Sequence, residues 1–290
     1  MDELAGKVAV ITGAGSGLGR ALAHRLGSAG MRLVLADIDS NRLNDVGGEL
    51  DDAGVQVATL VTDVSKRSQV EGLADLAYEQ FGAVNVLCNN AGVAVVGSAW
   101  ECTDADWAWA MGVNLWGVIH GLQAFVPRML AGGEPGHIVN TASAAGILAP
   151  PLSSPYVATK HAVVGMTESL FHDLALRQSK LGCSVLAPGF VKTQIATSES
   201  VRPEELRNPV PSSDPLMAEV GQYYAQEVAR GLPAEAVADA VHEAIVEGRF
   251  YIFTHPEMTP AFEDRFSRMV AGKNPKTRPL AASRDDDKTS

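Results

Sequence analysis

The stretch Val8-Ala-Val-Ile-Thr-Gly-Ala-Gly-Ser-Gly-Leu-Gly19 decides the fold, because it joins an apolar strand directly to the start of a helix. The run predicts a strand over residues 7–11, followed by a helical pattern near 17–29. Glycines allow positive φ angles and close approach of a ligand, and a helix N-terminus directs backbone N–H groups at an anion. The spacing is Thr-Gly-x-x-x-Gly-x-Gly, because Leu occupies position 18. This turn predicts a phosphate-binding loop.

Short apolar runs alternate with segments of helical period along the rest of the chain. Strands are predicted at residues 7–11, 32–36, 55–61, 84–88, 137–141, 183–187 and 250–253. Helices are predicted near residues 17–29, 40–52, 66–80, 104–131, 155–179 and 234–247. This alternation, with several strands apolar on consecutive residues, predicts an α/β fold: a doubly wound, seven-stranded parallel sheet with helices on both faces.

Two segments interrupt the alternation. Residues 194–233 contain five prolines and no convincing strand, so we interpret them as an irregular lid on the substrate side. Residues 256–270 have the pattern of a terminal helix, and residues 272–290, rich in Pro, Lys, Asp and Ser, predict a disordered tail. We therefore expect one domain over residues 1–271.

The composition excludes several classes of function. The 290 residues carry a formal net charge of −11, which leaves no electrostatic footprint for nucleic acid. No apolar run is long enough to cross a membrane, and the start does not resemble a signal peptide. The three cysteines form no CxxC pair, and the seven histidines show no metal-ligand spacing and are interpreted as surface or capping residues. We expect a soluble, cytoplasmic protein without a metal, nucleic-acid or membrane partner.

Asp37 ends the second predicted strand, about twenty residues after the glycine turn. A carboxylate there would accept both ribose hydroxyls of an adenosine and would repel a 2′-phosphate. Neither Ser16 nor Ile38 is a cation that could pair with such a phosphate. The position favours NAD over NADP, and the alternative is a simple cap of the following helix.

Tyr156-Val-Ala-Thr-Lys160 places a phenol and an ammonium group one helical turn apart. A neighbouring cation lowers a tyrosine pKa from about 10 toward neutrality, as a general acid or base requires. This spacing is common by chance, so its context matters. Ser143 follows the strand predicted at 137–141, at the edge where open α/β sheets bind ligands. Asn114 lies in the middle of a predicted helix, where asparagine is unfavourable unless its side chain has a partner.

Two turns after other predicted strands complete the pattern, Asn89-Asn-Ala-Gly92 and Pro188-Gly-Phe-Val-Lys-Thr193. Together with the glycine turn, Asp63, Asn114, Ser143 and the Tyr156–Lys160 pair, they resemble the short-chain dehydrogenase/reductase family in its compact single-domain branch. The resemblance spans roughly residues 5–195, with the motifs in order. It implies a Rossmann-type fold and hydride exchange with a nicotinamide cofactor.

The resemblance also implies roles for single residues. Tyr156 would exchange a proton with the substrate oxygen, and Lys160 would lower its pKa and hold the nicotinamide ribose. Ser143 would orient the substrate oxygen, and Asn114 would anchor a water that relays protons from Lys160. Asp63 and Val64 would face the adenine, and Thr193 would donate to the cofactor. The implied cofactor-binding set is Gly13, Ser16, Gly17, Leu18, Gly19, Asp37, Asp63, Val64, Asn90, Ala91, Gly92, Tyr156, Lys160, Pro188, Gly189, Val191 and Thr193.

The segments expected to line the substrate pocket, 91–97 and 144–152, contain no charged side chain. The lid is expected to add Met217, Tyr223 and Tyr224 as apolar wall, and its charged residues from Arg202 to Arg207 are interpreted as solvated. This lining favours a hydrophobic, aromatic or alicyclic, secondary alcohol or its ketone. Two alternatives stay open: an NADPH-dependent ketone reductase, and a non-catalytic NAD-binding sensor. The resemblance further implies a homodimer or homotetramer.

Overall fold

The computed structural model describes residues 3–209 and 215–276, and in them the predicted fold is confirmed. In this part of the chain, seven parallel strands form one sheet in the order β3-β2-β1-β4-β5-β6-β7. The strands are β1 Val8–Thr12, β2 Arg32–Asp37, β3 Val57–Val61, β4 Val86–Asn89, β5 Gly136–Thr141, β6 Leu181–Leu186 and β7 Tyr251–Ile252. The α-helices are α1 Gly17–Ser28, α2 Ser40–Asp52, α3 Arg67–Phe81, α4 Asp104–Ala110, α5 Gly117–Gly132, α6 Ser154–Leu176, α7 Pro215–Arg230, α8 Ala234–Glu247 and α9 Thr259–Val270.

Alternate residues of the strands face two separate cores. On one face, Ile11 and Leu35 pack with helices α1, α2 and α8, whose buried residues include Leu22 and Val241. On the other face, residues such as Val10 and Leu87 pack with helices α3, α5 and α6. Because both faces are covered, the strands are apolar on consecutive residues, which is the pattern visible in the sequence. Phe125 and Leu174 belong to this second core and are therefore closed to a subunit partner.

Two helix predictions need correction. The helix predicted near 104–131 is interrupted by a π-helical segment, Met111–Trp116, between α4 and α5. The lid predicted to be irregular contains α7, which begins at Pro215, because proline is tolerated in the first turn of a helix. The terminal helix is confirmed as α9. The disordered tail predicted at 272–290 lies outside the described residues from 277 onward.

His137, predicted to be a surface or capping residue, is instead buried in β5 against Gly182 of the next strand. Its Nε2 lies 2.6 Å from Ser184 Oγ, and that hydroxyl donates to the Arg249 carbonyl oxygen at 2.6 Å. The ring therefore donates through Nε2. Burial lowers the pKa of His137 from 6.5 to about 4.

We expect acid to destabilise the protein through His137. In the unfolded chain His137 binds a proton below about pH 6.5, whereas in the folded protein it does so only near pH 4. The free energy of unfolding is therefore highest above pH 6.5 and decreases as the pH falls from 6.5 to 4. The loss is about 3 kcal/mol in the free energy of unfolding. Urea denaturation from pH 8 to pH 4.5 measures it, with His137→Gln as a variant that does not titrate. An equal pH slope in the two proteins would contradict the prediction.

Candidate functional site

The strand order reverses between β1 and β4, and a crevice opens where their carboxyl ends diverge. The Thr12 hydroxyl, at the end of β1, accepts hydrogen bonds from Asn90 N at 3.0 Å and Ala91 N at 3.1 Å. The Asn90 side chain returns a bond to the Thr12 carbonyl oxygen at 3.1 Å. These bonds fix the loop after β4 against the glycine turn and leave the crevice lined by backbone.

The glycines of the turn leave no room for side chains at their positions. Gly13 has a φ of +67°, and a Cβ there would lie 2.8 Å from Ala91 Cα. Gly17 has a φ of +48°, and a Cβ there would lie 2.9 Å from Thr193 Cβ. Ser16 is the N-cap of α1, and its side chain makes no capping hydrogen bond, so the first amides of α1 remain available. This cradle of close backbone at a helix N-terminus fits a pyrophosphate.

Asp37 is held by backbone amides. Its Oδ2 accepts from Gly15 N at 2.8 Å and its Oδ1 from Asp39 N at 2.9 Å. Asp37 does not cap α2, because that cap is Asp39, which accepts from Asn41 N and Arg42 N. The cap interpretation of Asp37 is therefore wrong, and its carboxylate faces the cavity.

Tyr156 and Lys160 lie one turn apart on α6, with Lys160 Nζ 5.6 Å from the centre of the Tyr156 ring. Lys160 is buried and donates to the Thr141 carbonyl oxygen at 2.8 Å. Burial lowers the pKa of Lys160 to about 8. Burial also raises the pKa of Tyr156, against the opposing hydrogen bond from Ser143. The expected lowering of the Tyr156 pKa is therefore wrong for the protein chain itself, because burial outweighs the other effects.

Ser143 lies between the end of β5 and the loop after β6. Its Oγ accepts from Ala145 N at 3.1 Å and donates to the Pro188 carbonyl oxygen at 3.5 Å. Asn114 is fully buried in the π-helical segment beneath the cavity. Its Oδ1 accepts from Val93 N at 2.8 Å, and its Nδ2 donates to the Val93 carbonyl oxygen at 2.9 Å. Both side-chain groups of Asn114 are thus used to hold the loop after β4.

One cavity of about 1930 Å³ brings the predicted residues together. Every predicted cofactor-binding residue lines it, as do Ser143, Tyr156 and Lys160, while Asn114 lies just outside the lining. Past Tyr156 the walls become apolar, with Val93–Val96, Leu148 and Tyr224 among them. Tyr223 also lines the cavity as expected, and Met217 does not. The cavity thus has a polar, glycine-rich half and an apolar half that meet at Tyr156.

His255 is a residue of this region that its sequence context does not reveal. It is buried, its Nδ1 accepts from Gly189 N at 3.0 Å, and its Nε2 lies 3.0 Å from the Phe190 carbonyl oxygen. These contacts require Nδ1 to accept and Nε2 to donate. His255 therefore fixes the loop after β6 with its side chain, so its interpretation as a surface residue is wrong, while it does stand at the N-cap of the short 3₁₀ helix Pro256–Met258.

Arg202 is also buried, against expectation. Its Nη2 lies 2.7 Å from Asp106 Oδ1, and its guanidinium carbon lies 4.9 Å from the centre of the Trp109 ring. Burial alone would raise the pKa of Asp106, but hydrogen bonds from Thr103, Arg202 and Asn208 keep it below its ordinary value. This pair joins the first part of the lid to α4, and Trp109 beside it lines the apolar half of the cavity.

Within residues 3–209 and 215–276, no helix has the length and apolar character needed to span a membrane. In the same residues, no group of histidine, cysteine and carboxylate side chains could hold a metal ion. The three cysteines are free, and burial raises the pKa of Cys88 and Cys183 to about 12.

Comparison with known proteins places the same features in a wider group. The model of the family described as short chain dehydrogenase matches residues 7–204. The solved structure of a short chain dehydrogenase/reductase from Burkholderia phymatum in complex with NAD is 48% identical, with a TM-score of 0.94, over 97% of this chain and 100% of that one. A CLA biosynthesis dehydrogenase/reductase from Lactiplantibacillus plantarum is 36% identical over 95% of this chain and 97% of the relative. A 1-deoxy-11-beta-hydroxypentalenate dehydrogenase from Streptomyces exfoliatus is 36% identical over 90% of this chain and 87% of the relative.

Proposed function

The chain belongs to the short-chain dehydrogenase/reductase family of oxidoreductases, and from this premise we propose that it interconverts a hydrophobic secondary alcohol and its ketone with NAD. The observation that carries the proposal is the position of Tyr156, Ser143 and Lys160 at the junction of the two halves of one cavity. A substrate in the apolar half would present its oxygen to Tyr156, and its aromatic or alicyclic body would lie against the apolar walls.

In this proposal Tyr156 holds the proton that leaves or enters the substrate oxygen. Its raised pKa keeps the phenol protonated at neutral pH, so it serves as acid in ketone reduction and must lose its proton before alcohol oxidation. Ser143 donates a second hydrogen bond to the same oxygen, for which its single hydroxyl proton turns away from the Pro188 carbonyl oxygen 3.5 Å away. The Lys160 ammonium is the next proton carrier, since burial lowers its pKa to about 8. Asn114 takes part in the proton relay from Lys160 by holding the relay water with its backbone carbonyl oxygen, because its side chain is already bonded to Val93.

The polar half of the cavity is proposed to hold the cofactor, which when bound accepts or supplies the hydride. The glycine turn and the N-terminus of α1 bind the pyrophosphate, and Asp37 binds the adenosine ribose. Asp63 and Val64 face the adenine, and the loop after β6 holds the nicotinamide end. Arg42 also lines the adenosine end of the cavity, but it pairs with Asp39 at 3.1 Å. Arg42 therefore does not neutralise the negative charge of Asp37. These contacts favour NAD, and the NAD complex of the Burkholderia phymatum protein is in line with that choice.

The test is NAD reduction, followed as NADH absorbance, across a panel of aromatic, steroidal and terpenoid secondary alcohols. We expect at least one member of the panel to be oxidised, with kcat/KM at least tenfold higher for NAD than for NADP. A sensor would bind NAD without turnover on any member. Faster turnover with NADP on every active alcohol would instead identify an NADPH-dependent ketone reductase.

Asp37→Ser provides the control for cofactor choice. Removing a charged acceptor of ribose hydroxyls raises KM for NAD by roughly 10- to 100-fold. It should also lower KM for NADP, since the repulsion is gone and Arg42 lies nearby. If the ratio of kcat/KM with NAD to kcat/KM with NADP were unchanged in this variant, Asp37 would not determine the choice of cofactor.

We further propose that residues 1–271 act as one domain with residues 194–233 as its lid, and that the enzyme works in the cytoplasm as a homodimer or homotetramer. Exposed aromatic side chains on the helical faces, Trp116 and Phe171, are available for subunit contact. Light scattering of the purified protein measures the oligomeric state.

A further inference from the structure

Helix α9 lies across the substrate side of the cavity. Its Phe262 packs with Ala144 and Ile147, directly after Ser143, and Met258 lies where a Cβ on Gly189 would be only 2.9 Å away. The α9 residues that line the cavity are Pro260, Ala261, Asp264, Arg265, Arg268 and Met269. From Ala261 onward their i, i+3, i+4, i+7, i+8 spacing is one continuous helix face, and Pro260 adjoins that face in the first turn. One face of α9 thus forms a wall of the cavity along its whole length.

That wall is cationic, unlike the loops after β4 and β5. Among the described residues, Arg265, Arg268, Lys273 and Lys276 line this end of the cavity, and the acidic residues there are Asp264 and Glu199. Asp264 is paired with Arg268 at 3.0 Å, and Glu199 with Arg202 at 3.1 Å. Positive charge therefore dominates the α9 wall on the substrate side of the cavity, in a chain whose net charge is −11.

Arg265 is the arginine of this wall whose side-chain partner is a histidine. It is half-buried, and its Nη2 lies 3.3 Å from His161 Nε2. The other ring nitrogen of His161 lies 3.0 Å from the Val157 carbonyl oxygen, so Nδ1 donates there and Nε2 accepts from Arg265. An imidazole carries no negative charge, so His161 does not balance the guanidinium. In the described part of the chain, Arg265 has no carboxylate partner.

Arg265 and Tyr156 line the same cavity, and Arg265 contacts α6 beyond Tyr156. Its partner His161 follows Tyr156 by five residues, which is about 7.5 Å along the helix axis and about 140° around it. A molecule whose hydroxyl meets Tyr156 and whose body follows the apolar wall would bring its far end to Arg265. A guanidinium with free N–H groups at that point binds a carboxylate by paired hydrogen bonds.

We propose that the substrate is a hydroxy acid or oxo acid: a secondary alcohol or ketone on an apolar body, with a carboxylate at the far end held by Arg265 and supported by Arg268 and Lys273. This subsite rests on the proposed alcohol–ketone function and specifies its substrate class. It replaces the wholly uncharged pocket expected from residues 91–97 and 144–152, because α9 lies outside those segments.

The test compares 9-hydroxydecanoate with its methyl ester, which has the same alcohol and no charge, by NADH formation. The flexible chain allows its carboxylate to reach Arg265 without an assumed length. We expect kcat/KM for the acid to exceed that for the ester at least tenfold, mainly through KM. Arg265→Gln should lower the acid value about tenfold and leave the ester value unchanged, and Arg265→Lys should restore part of the preference.

Arg67→Gln is the matched control, because Arg67 is exposed on α3, pairs with Glu71 and lies outside the cavity. It should leave the preference for the acid intact. Equal kcat/KM for acid and ester in the wild type, or equal losses on both substrates in Arg265→Gln, would overturn the subsite and assign Arg265 a structural role. Oxidation of the ester in that case would leave the proposed function standing.

Titration calorimetry with octanoate, compared with octan-1-ol, tests the subsite without turnover. We expect octanoate to bind at least tenfold more tightly, with this advantage lost in Arg265→Gln and kept in Arg67→Gln. If neither decanoate probe is oxidised, the proposed function loses support while this titration still decides the subsite. Octanoate binding that is absent in the wild type, or unchanged in Arg265→Gln, would overturn the subsite. Inorganic phosphate that displaces octanoate at the same concentration as octanoate itself would indicate a general anion site instead of a carboxylate site and would also overturn the proposal.

Discussion

The Tyr156→Phe variant is expected to oxidise the secondary alcohol that the wild type oxidises fastest roughly a thousandfold more slowly than the wild type does. The reason is that proton transfer by a positioned group contributes a factor of about 10²–10⁴ to such rates. Phenylalanine keeps the ring beside Lys160 and removes only the hydroxyl that exchanges the proton. The effect should therefore appear in kcat, while KM for NAD changes little. Steady-state kinetics at saturating NAD measures both.

The pH profile adds a second readout for the same variant. Burial raises the pKa of Tyr156, so the wild type must still gain oxidation rate as the pH rises toward and past the ordinary tyrosine pKa of about 10 and the phenol loses its proton. The residual rate of Tyr156→Phe should lack this rise. Tyr251→Phe is the control, since its hydroxyl bonds Glu168 at 2.8 Å outside the cavity. Near-normal turnover in Tyr156→Phe would sink the proposed mechanism.

Arg202→Leu is expected to lower the free energy of unfolding by about 3–5 kcal/mol, because it leaves the Asp106 carboxylate buried without its cation. The Arg202 side chain is only 2% exposed and that of Asp106 10%, so water does not replace the lost partner. The stacking of the guanidinium on Trp109 is lost as well. Urea denaturation at neutral pH measures the change.

Two further proteins make this prediction specific. The double variant Arg202→Leu/Asp106→Leu removes both charges and should recover most of the loss, since a buried pair replaced by apolar residues is often neutral in stability. Arg230→Leu is the surface control, because its pair with Glu227 joins side chains 61% and 22% exposed, and a change below about 1 kcal/mol is expected. A loss of similar size in Arg230→Leu and Arg202→Leu would refute a special role for the buried pair.

The sequence was sufficient for those parts of the fold and site that depend on local pattern. The strand, glycine turn and helix from Val8 to Ser28 follow from chain periodicity and turn chemistry, and the Tyr156–Lys160 spacing follows from helix geometry. Strand boundaries were displaced by up to two residues, as in β3, which begins at Val57. The ends of a strand are determined by its hydrogen bonds to the neighbouring strands, and the sequence of one strand does not specify those partners.

The features that escaped prediction depend on contacts between distant parts of the chain. The π-helical turn at Asn114 accompanies bonds to Val93, and the burial of Arg202 depends on Asp106. His255 acquires its place from the amide of Gly189. A proline-rich composition also concealed α7, because proline ends most helices but can begin one. The contacts of Asn114, Arg202 and His255 have no signal within a few residues of sequence, whereas α7 does have a helical pattern after Pro215.

The walls of the cavity come from different stretches of the chain. The glycine turn, Ser143, Tyr156 and Lys160 all precede residue 194, whereas α7, α9 and the segment around Arg202 follow it. A mutation in the later stretch can therefore reshape what enters the pocket while the proton-transfer groups keep their positions. This division makes the last third of the chain the natural target for directed evolution: libraries restricted to it, with Arg202 and His255 kept, explore new alcohols while the proton-transfer groups stay unchanged.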